Sequence, residues 1–195
     1  MKTIEEYDML LRKKLSLKRY LHSVGVAHMA ASLAMQNGYE PNAYLIAGIL
    51  HDCAKEYKDD ELIIRCSELG DFIFQDEFLA PGVLHAPYGA FLAETEYEMT
   101  DPEILSAIRY HSIGKANMSH LEKAIMVSDF LEPSRKQNCY PALNELRKLA
   151  YSDLDLCTYL VACSTKSYIL SCGGYFVKEA EKTIEYYKKE NIWQV

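Results

Sequence analysis

The sequence predicts an all-α, single-domain fold: helix-cap signals recur along the chain, strand signals are nearly absent, and no linker, internal repeat or low-complexity tract divides it. With 195 residues the chain can close one full hydrophobic core. Thr3-x-x-Glu6 is a capping box that opens a short amphipathic helix running to about Leu15. A second helix from about Ser16 should end at Gly38, because glycine accepts the left-handed conformation that closes helices. Pro41 suits the first turn of a third helix, whose apolar stretch from Ala43 to Leu50 carries the pair His51-Asp52. A shorter helix over about residues 59–69 stops at Gly70, and residues 71–84 read as mixed, with a turn at Pro81-Gly82. Pro87 should open the next helix and leave His85 just before its N-terminus. Thr100-Asp-Pro-Glu103 and the capping box Ser119-x-x-Glu122 start two more, the second stopped by Pro133. Helices over about 141–150 and 153–172 follow, and Gly173-Gly174 breaks the chain before a last charged helix.

Composition narrows the function classes. Hydrophobic residues at 49% and charged ones at 25% are the balance of a soluble globular protein. A net charge of −7 argues against broad nucleic-acid binding, which wants a basic face, so an anionic ligand would need a metal or a few local cations. The six cysteines (Cys53, Cys66, Cys139, Cys157, Cys163 and Cys172) form no C-x-x-C pair and are expected to be reduced and mostly buried. The start of the chain has no signal-type apolar region and no apolar run approaches membrane-spanning length, so no membrane partner and a cytoplasmic location are expected.

His51-Asp52 is the most informative pair in the chain. Adjacent residues on a helix point about 100° apart, so the two side chains can flank one point. A carboxylate buried beside a histidine is costly unless a cation or hydrogen bonds compensate it, and a divalent metal with further ligands is the usual compensation. His22 upstream, and His85, His111 and Asp129 downstream, are the candidates. His22 shares an apolar stripe with Val26, Met29 and Leu33, His111 lies on the Ile104–Ile108 stripe, and Asp129 follows Ile125 by one turn. His28 stands about 240° around the helix from His22 and is left out, while His120, just after a cap, is expected in solvent. A lone inward histidine is ordinarily a hydrogen-bonded core residue, and Asp129 alone could pair with Arg109 or Arg135. Two inward acids and three inward histidines together need a common explanation, and a metal ion supplies it. Nitrogen and carboxylate ligands without thiolate suit iron, manganese, zinc or cobalt alike. Lys55 lies one turn beyond Asp52, Arg19 one turn before His22, and Arg135 just after Pro133. Singly these are ordinary surface cations; together they favour a phosphate ligand.

The spaced pattern His…His-Asp…His…His…Asp resembles the HD-domain metallohydrolases, an all-α superfamily that cleaves phosphate esters and anhydrides. Five segments carry a narrower likeness: Arg19-Tyr-Leu-His22-Ser-Val-Gly-Val26, His51-Asp-Cys-Ala-Lys55, Leu84-His-Ala-Pro-Tyr-Gly89, Ile108-Arg-Tyr-His-Ser112 and Ser128-Asp-Phe-Leu-Glu-Pro-Ser-Arg135. They resemble the YqeK family of bacterial symmetrical diadenosine-tetraphosphate hydrolases. The likeness spans about residues 16–147. It implies one HD domain over 1–195, with a metal-binding core at about 16–135, the metal site inside the helical bundle, and C-terminal helices at about 141–190. It also implies that His22, His51, Asp52 and Asp129 hold a divalent metal, iron first, with manganese or cobalt as alternatives. His85 and His111 would contact substrate phosphate or complete a second metal position, and Lys55, Arg135 and more weakly Arg19 would bind phosphates. The likeness departs at the C-terminal side, where a Gly-x-x-Ile-His-Pro-x-Thr-like segment is common in the family. Here the stretch is Gly174-Tyr-Phe-Val-Lys-Glu-Ala-Glu181, with Lys178 at the histidine position.

The reaction expected on this likeness is attack of a metal-bound hydroxide on an inner phosphorus of diadenosine tetraphosphate, releasing two ADP. Asp52 and Asp129 would orient the nucleophile, His85 or His111, titrating near neutrality, would protonate the leaving oxygen, and Lys55 and Arg135 would stabilise phosphoryl charge. Two other readings share the ligand set. One is a different HD nucleotide phosphohydrolase, such as a nucleotidase or a guanosine polyphosphate hydrolase. The other is a non-catalytic nucleotide sensor, against which the intact ligand set speaks. A homodimer is compatible with all three.

Overall fold

The computed structural model describes residues 2–135 and 142–190, and among these residues there is helix and no strand. The helices are α1 (Ile4–Lys14), α2 (Leu17–Gln36), α3 (Asn42–Leu50), α4 (Asp59–Ser67), α5 (His85–Thr95), α6 (Pro102–Tyr110), α7 (His120–Leu131), α8 (Leu143–Ser152), α9 (Leu154–Ser171) and α10 (Lys178–Glu190). The expected caps explain most boundaries. The capping boxes Thr3/Glu6 and Ser119/Glu122 are both formed, the Ser16 hydroxyl accepts from the Arg19 amide, and Asp101 caps α6 ahead of Pro102. Gly38 closes α2 at φ +76°.

Three local expectations are corrected. His51-Asp52 stands just past the end of α3 rather than inside it. The backbone there stays helical in φ and ψ at His51, but its hydrogen bonds shorten to Cys53 N–H onto Leu50 O and Lys55 N–H onto Asp52 O, which turns the pair inward. His85 is the first residue of α5 and not the one before it, because the Pro81–Val83 turn already sets the helical direction. His120 is not in solvent: its ring lies 4.5 Å from that of Tyr39, and its Nδ1 is 2.9 Å from the Tyr44 hydroxyl. The expected helix start at Pro141 and the cysteine at Cys139 lie outside the described residues. Cys53, Cys66, Cys157, Cys163 and Cys172 are all free thiols, the first three buried.

Residues 70–83 form three short 3-10 turns, Gly70–Phe72, Gln75–Leu79 and Pro81–Val83. A buried ion pair fixes them, with Arg109 of α6 donating to both oxygens of Glu77 at 2.9 and 2.8 Å, and with Phe72, Phe74 and Tyr110 around the guanidinium. The bidentate geometry satisfies both charges, which is what makes such a pair tolerable away from water.

The core is built from α2, α3, α6 and α7, with α5, α8 and α9 packed on its flanks and α1 and α10 closing the outside. Gly48 sets the crossing of α2 and α3. A Cβ there would meet the Ala27 amide nitrogen at 2.7 Å and its Cβ at 2.9 Å, so the two backbones touch where no side chain fits. That approach brings the His22 and His51 rings to 5.4 Å between centroids. Gly48→Ala should therefore lose about 1–3 kcal/mol of stability by overpacking, read as a lower urea midpoint with an unchanged slope.

Candidate metal centre

Four histidines aim the same nitrogen inward. Nδ1 of His51, His85 and His111 each meets the carbonyl three residues earlier, on Gly48, Gly82 and Ile108, at 2.7, 2.7 and 2.8 Å. A carbonyl only accepts, so each Nδ1 carries the proton and each Nε2 keeps a lone pair. His22 lies inside α2 and directs Nδ1 to Glu132 Oε1 at 3.1 Å. Among the described residues, Nε2 of His22 and Nε2 of His51 are buried and have no hydrogen-bond partner. The Nε2 atoms of His85 and His111 face each other at 3.0 Å.

Two carboxylates complete the cluster. Asp129 Oδ1 is 2.9 Å from His22 Nε2 and 3.8 Å from His51 Nε2, and Asp52 Oδ2 is 3.6 and 3.4 Å from the same two atoms. Donors about 2.1 Å from one shared ion stand about 3–4 Å from each other, so these four residues have the edges of a coordination polyhedron. Asp52 also faces the other way: Oδ1 is 3.3 Å from His85 Nε2 and 3.8 Å from His111 Nε2. Lone pairs converging on one buried and one half-buried carboxylate fit a divalent metal ion, and the nitrogens of His22 and His51 left without a partner among the described residues are what that ion would satisfy.

The electrostatics say the same. Asp52 is 2% exposed, and burial opposes its charge, but the neighbouring His51, His85 and His111 hold its carboxyl well below the usual carboxylate range. Burial likewise opposes the Asp129 charge, and the adjacent imidazoles of His22, 2.9 Å away, and His51 outweigh it and keep Asp129 ionised. For His22, burial is overcome by the neighbouring carboxylates of Asp129 and Glu132, which raise its imidazolium to about 9. His85 and His111 behave oppositely. Burial and the Lys55 ammonium push His85 well below 6.5, and burial and His51 push His111 to about 4. Both are neutral at pH 7, so the expectation that one of them titrates near neutrality is corrected by their burial.

The cations stand on the solvent side. Arg19 Nη1 is 2.6 Å from Asp52 Oδ2, so Arg19 is engaged with a carboxylate as it stands. Lys55 Nζ lies 3.0 and 3.2 Å from the two His85 nitrogens, and burial lowers its pKa. Arg135 donates to the Asp129 carbonyl at 3.1 Å and approaches Asp129 Oδ1 at 3.3 Å. Lys55 and Arg135 line a cavity of about 420 Å³ together with His85, His111 and Asp129. Its far wall comes from α9 and the turn after it, with Val161, Thr165, Ile169 and Tyr175.

Against known proteins, the family model described as HD domain matches residues 19–134. The chain belongs to the HD-domain family. Within that family it is 38% identical over 153 residues to a Bacillus subtilis (strain 168) protein named bis(5'-nucleosyl)-tetraphosphatase, symmetrical, covering 77% of this chain and 79% of that one. A Staphylococcus aureus (strain NCTC 8325 / PS 47) protein of the same name is 35% identical over 176 residues, 86% and 85% of the two chains. Among solved structures, one from Clostridium acetobutylicum, described as a predicted HD superfamily hydrolase involved in NAD metabolism, superposes with a TM-score of 0.90 at 30% identity. It covers 98% of this chain and 100% of its own. No helix of the described residues is long and apolar enough to cross a membrane.

The HD-domain pattern brings His22, His51, Asp52, His85, His111 and Asp129 into one cluster, with Arg19, Lys55 and Arg135 beside it. Sequence reasoning missed Glu132, a carboxylate 1% exposed behind His22, and Ser112, whose hydroxyl is 3.2 Å from His85 Nε2. The signal for Glu132 was its place beside Pro133 at the end of an inward-facing helix; Ser112 had none. Loading metal-free protein with a divalent ion to 100 times Kd should add about 2.7 kcal/mol, a rise in Tm of about 5–10 °C that excess chelator reverses. Scanning calorimetry should show that shift lost in Asp52→Ala.

Proposed function

We propose that this HD-domain protein is a metal-dependent phosphoanhydride hydrolase that adds water across the central anhydride of diadenosine tetraphosphate and releases two ADP. The observation that carries the reading is a buried cluster of imidazole and carboxylate donors opening directly onto a cavity with Lys55 and Arg135 on its wall. The two bacterial relatives named as symmetrical bis(5'-nucleosyl)-tetraphosphatases, alike over most of both chains, support the substrate. His22, His51, Asp52 and Asp129 would hold the ion, and His85, His111 and Asp52 Oδ1 a second cation position. Iron is the ion we assign on the family likeness, with manganese or cobalt able to replace it; a donor set of nitrogen and oxygen without thiolate accommodates all three.

A divalent ion held there supplies a water of lowered pKa near neutral pH. The residues do the rest by position. Asp52, fixed from both sides, sets where the reacting phosphorus must lie relative to the cluster. Lys55 and Arg135 neutralise the non-bridging oxygens as charge spreads over them, which is the largest contribution available to phosphoryl transfer. ADP leaves as a phosphate anion and needs no proton at the moment of cleavage, so the neutral His85 and His111 suit a lone-pair role better than that of an acid. The apolar wall of Val161, Ile169 and Tyr175 is chemically suited to a nucleoside, which presents a flat π-face to it.

Incubation of the metal-loaded protein with diadenosine tetraphosphate should give ADP as the sole product by ion-exchange chromatography, and chelation should stop it. AMP with ATP would refute symmetrical cleavage. Asp52→Ala should lose turnover. Lys55→Ala and Arg135→Ala should each lower kcat/KM about tenfold to a hundredfold, the value of a charge-assisted hydrogen bond to phosphate. A second reading, another dinucleotide or nucleoside polyphosphate at the same site, is favoured by the description of the Clostridium structure in terms of NAD metabolism. Faster turnover of NAD-type pyrophosphates than of diadenosine tetraphosphate would establish it.

A further inference from the structure

His22 differs from the other three histidines in how its ring is held. His51, His85 and His111 stand at helix ends or beginnings, where a carbonyl three residues back is available to Nδ1. Inside α2 the backbone carbonyls belong to the helix ladder, so His22 needs an acceptor from elsewhere. Glu132, from the end of α7, supplies it at 3.1 Å. The same carboxylate organises the turn that follows: Ser134 donates its amide to Oε2 at 2.6 Å and its hydroxyl to Oε1 at 2.6 Å. Arg147 of α8 clamps that turn from outside, donating to the Leu131, Glu132 and Arg135 carbonyls at 2.8, 2.9 and 3.2 Å. The turn ends in Arg135, which reaches back to Asp129. The approach is fitted from the α2 side as well. A Cβ on Gly25 would stand 2.9 Å from Glu132 Oε2, so glycine leaves the room in which the carboxylate sits.

We infer that Glu132 is a positioning residue that serves two functions with one carboxylate: it orients His22 toward the metal, and it sets the turn that presents Arg135 to phosphate. The inference rests on the metal-centre reading and not on the identity of the nucleotide. A carboxylate behind a ligating imidazole fixes which nitrogen faces the ion, and losing such a partner typically costs tenfold to a hundredfold in metal affinity.

The two functions separate by variant. In Glu132→Ala both are lost, so Mn²⁺ affinity by calorimetry, measured without nucleotide, should fall about tenfold to a hundredfold. In the metal-free protein the His22 Nδ1–H should change from slow to fast exchange by NMR. Glu132→Gln keeps an oxygen for His22 and the Ser134 hydroxyl but sets an amide NH₂ against the Ser134 N–H. It should hold Mn²⁺ nearly as well as the unaltered protein while raising KM several-fold. Gly25→Ala strengthens α2 as a helix and leaves Glu132 chemically intact, yet its Cβ displaces the carboxylate, so it should weaken Mn²⁺ binding in a folded protein. Unaltered Mn²⁺ affinity and a protected Nδ1–H in Glu132→Ala would overturn the first function. An unaltered KM in Glu132→Gln would overturn the second. Because the affinity and exchange readouts use no nucleotide, a wrong substrate assignment leaves them standing. If the unaltered protein bound no Mn²⁺, the metal reading would fail on its own, and the exchange of Nδ1–H would still decide whether Glu132 holds the ring.

Discussion

Keeping the Asp52 carboxylate charged at 2% exposure would cost several kcal/mol on its own, and the arrangement of the inner helices answers that cost. Its two oxygens face different partners, one toward His22, His51 and Arg19, the other toward His85 and His111. These come from four separate segments, so the site exists only when α2, the turn after α3, the start of α5 and the end of α6 are packed together. The tight approach of Gly48 to Ala27 is a condition for this, because a wider α2–α3 spacing would move the His22 ring away from that of His51. Stability and site geometry are therefore tied to the same contact.

A recurring local device gives the cluster its precision. In three of the four histidines the ring is fixed by a carbonyl of its own turn, three residues back. Such a bond depends on local backbone alone and is formed as soon as the helix end is formed. The fourth, His22, depends on a long-range partner and on the docking of α7. Three of the four rings are thus set by secondary structure and one by tertiary structure, and the last is placed only in the folded core.

Much of this was legible in the chain. The caps at Thr3, Ser16, Asp101 and Ser119 fixed helix starts because each supplies a local hydrogen bond that competes with no distant contact. Helical phase separated inward His22 from exposed His28, and the inward acids pointed to a cation. What failed had non-local causes. His120 looked solvated because its partners, Tyr39 and Tyr44, arrive from another helix and loop. Glu132 was missed because its partner lies 110 residues away. The low pKa values of His85 and His111 follow from burial inside the assembled cluster, which residue type does not encode.

Cys53 follows Asp52 directly in the chain, yet its Sγ turns away and donates to the Gly89 carbonyl at 3.3 Å. Burial and the negative charge of Asp52 both push its thiol up, so it stays protonated. The centre therefore presents only hard and borderline donors although sulfur is one residue away. Thiophilic ions such as copper(I) gain no thiolate anchor here, and an oxidant formed at the site meets a neutral thiol rather than a nucleophilic one. Discrimination between metals is in this way partly a matter of which side chain the backbone turns toward the cluster.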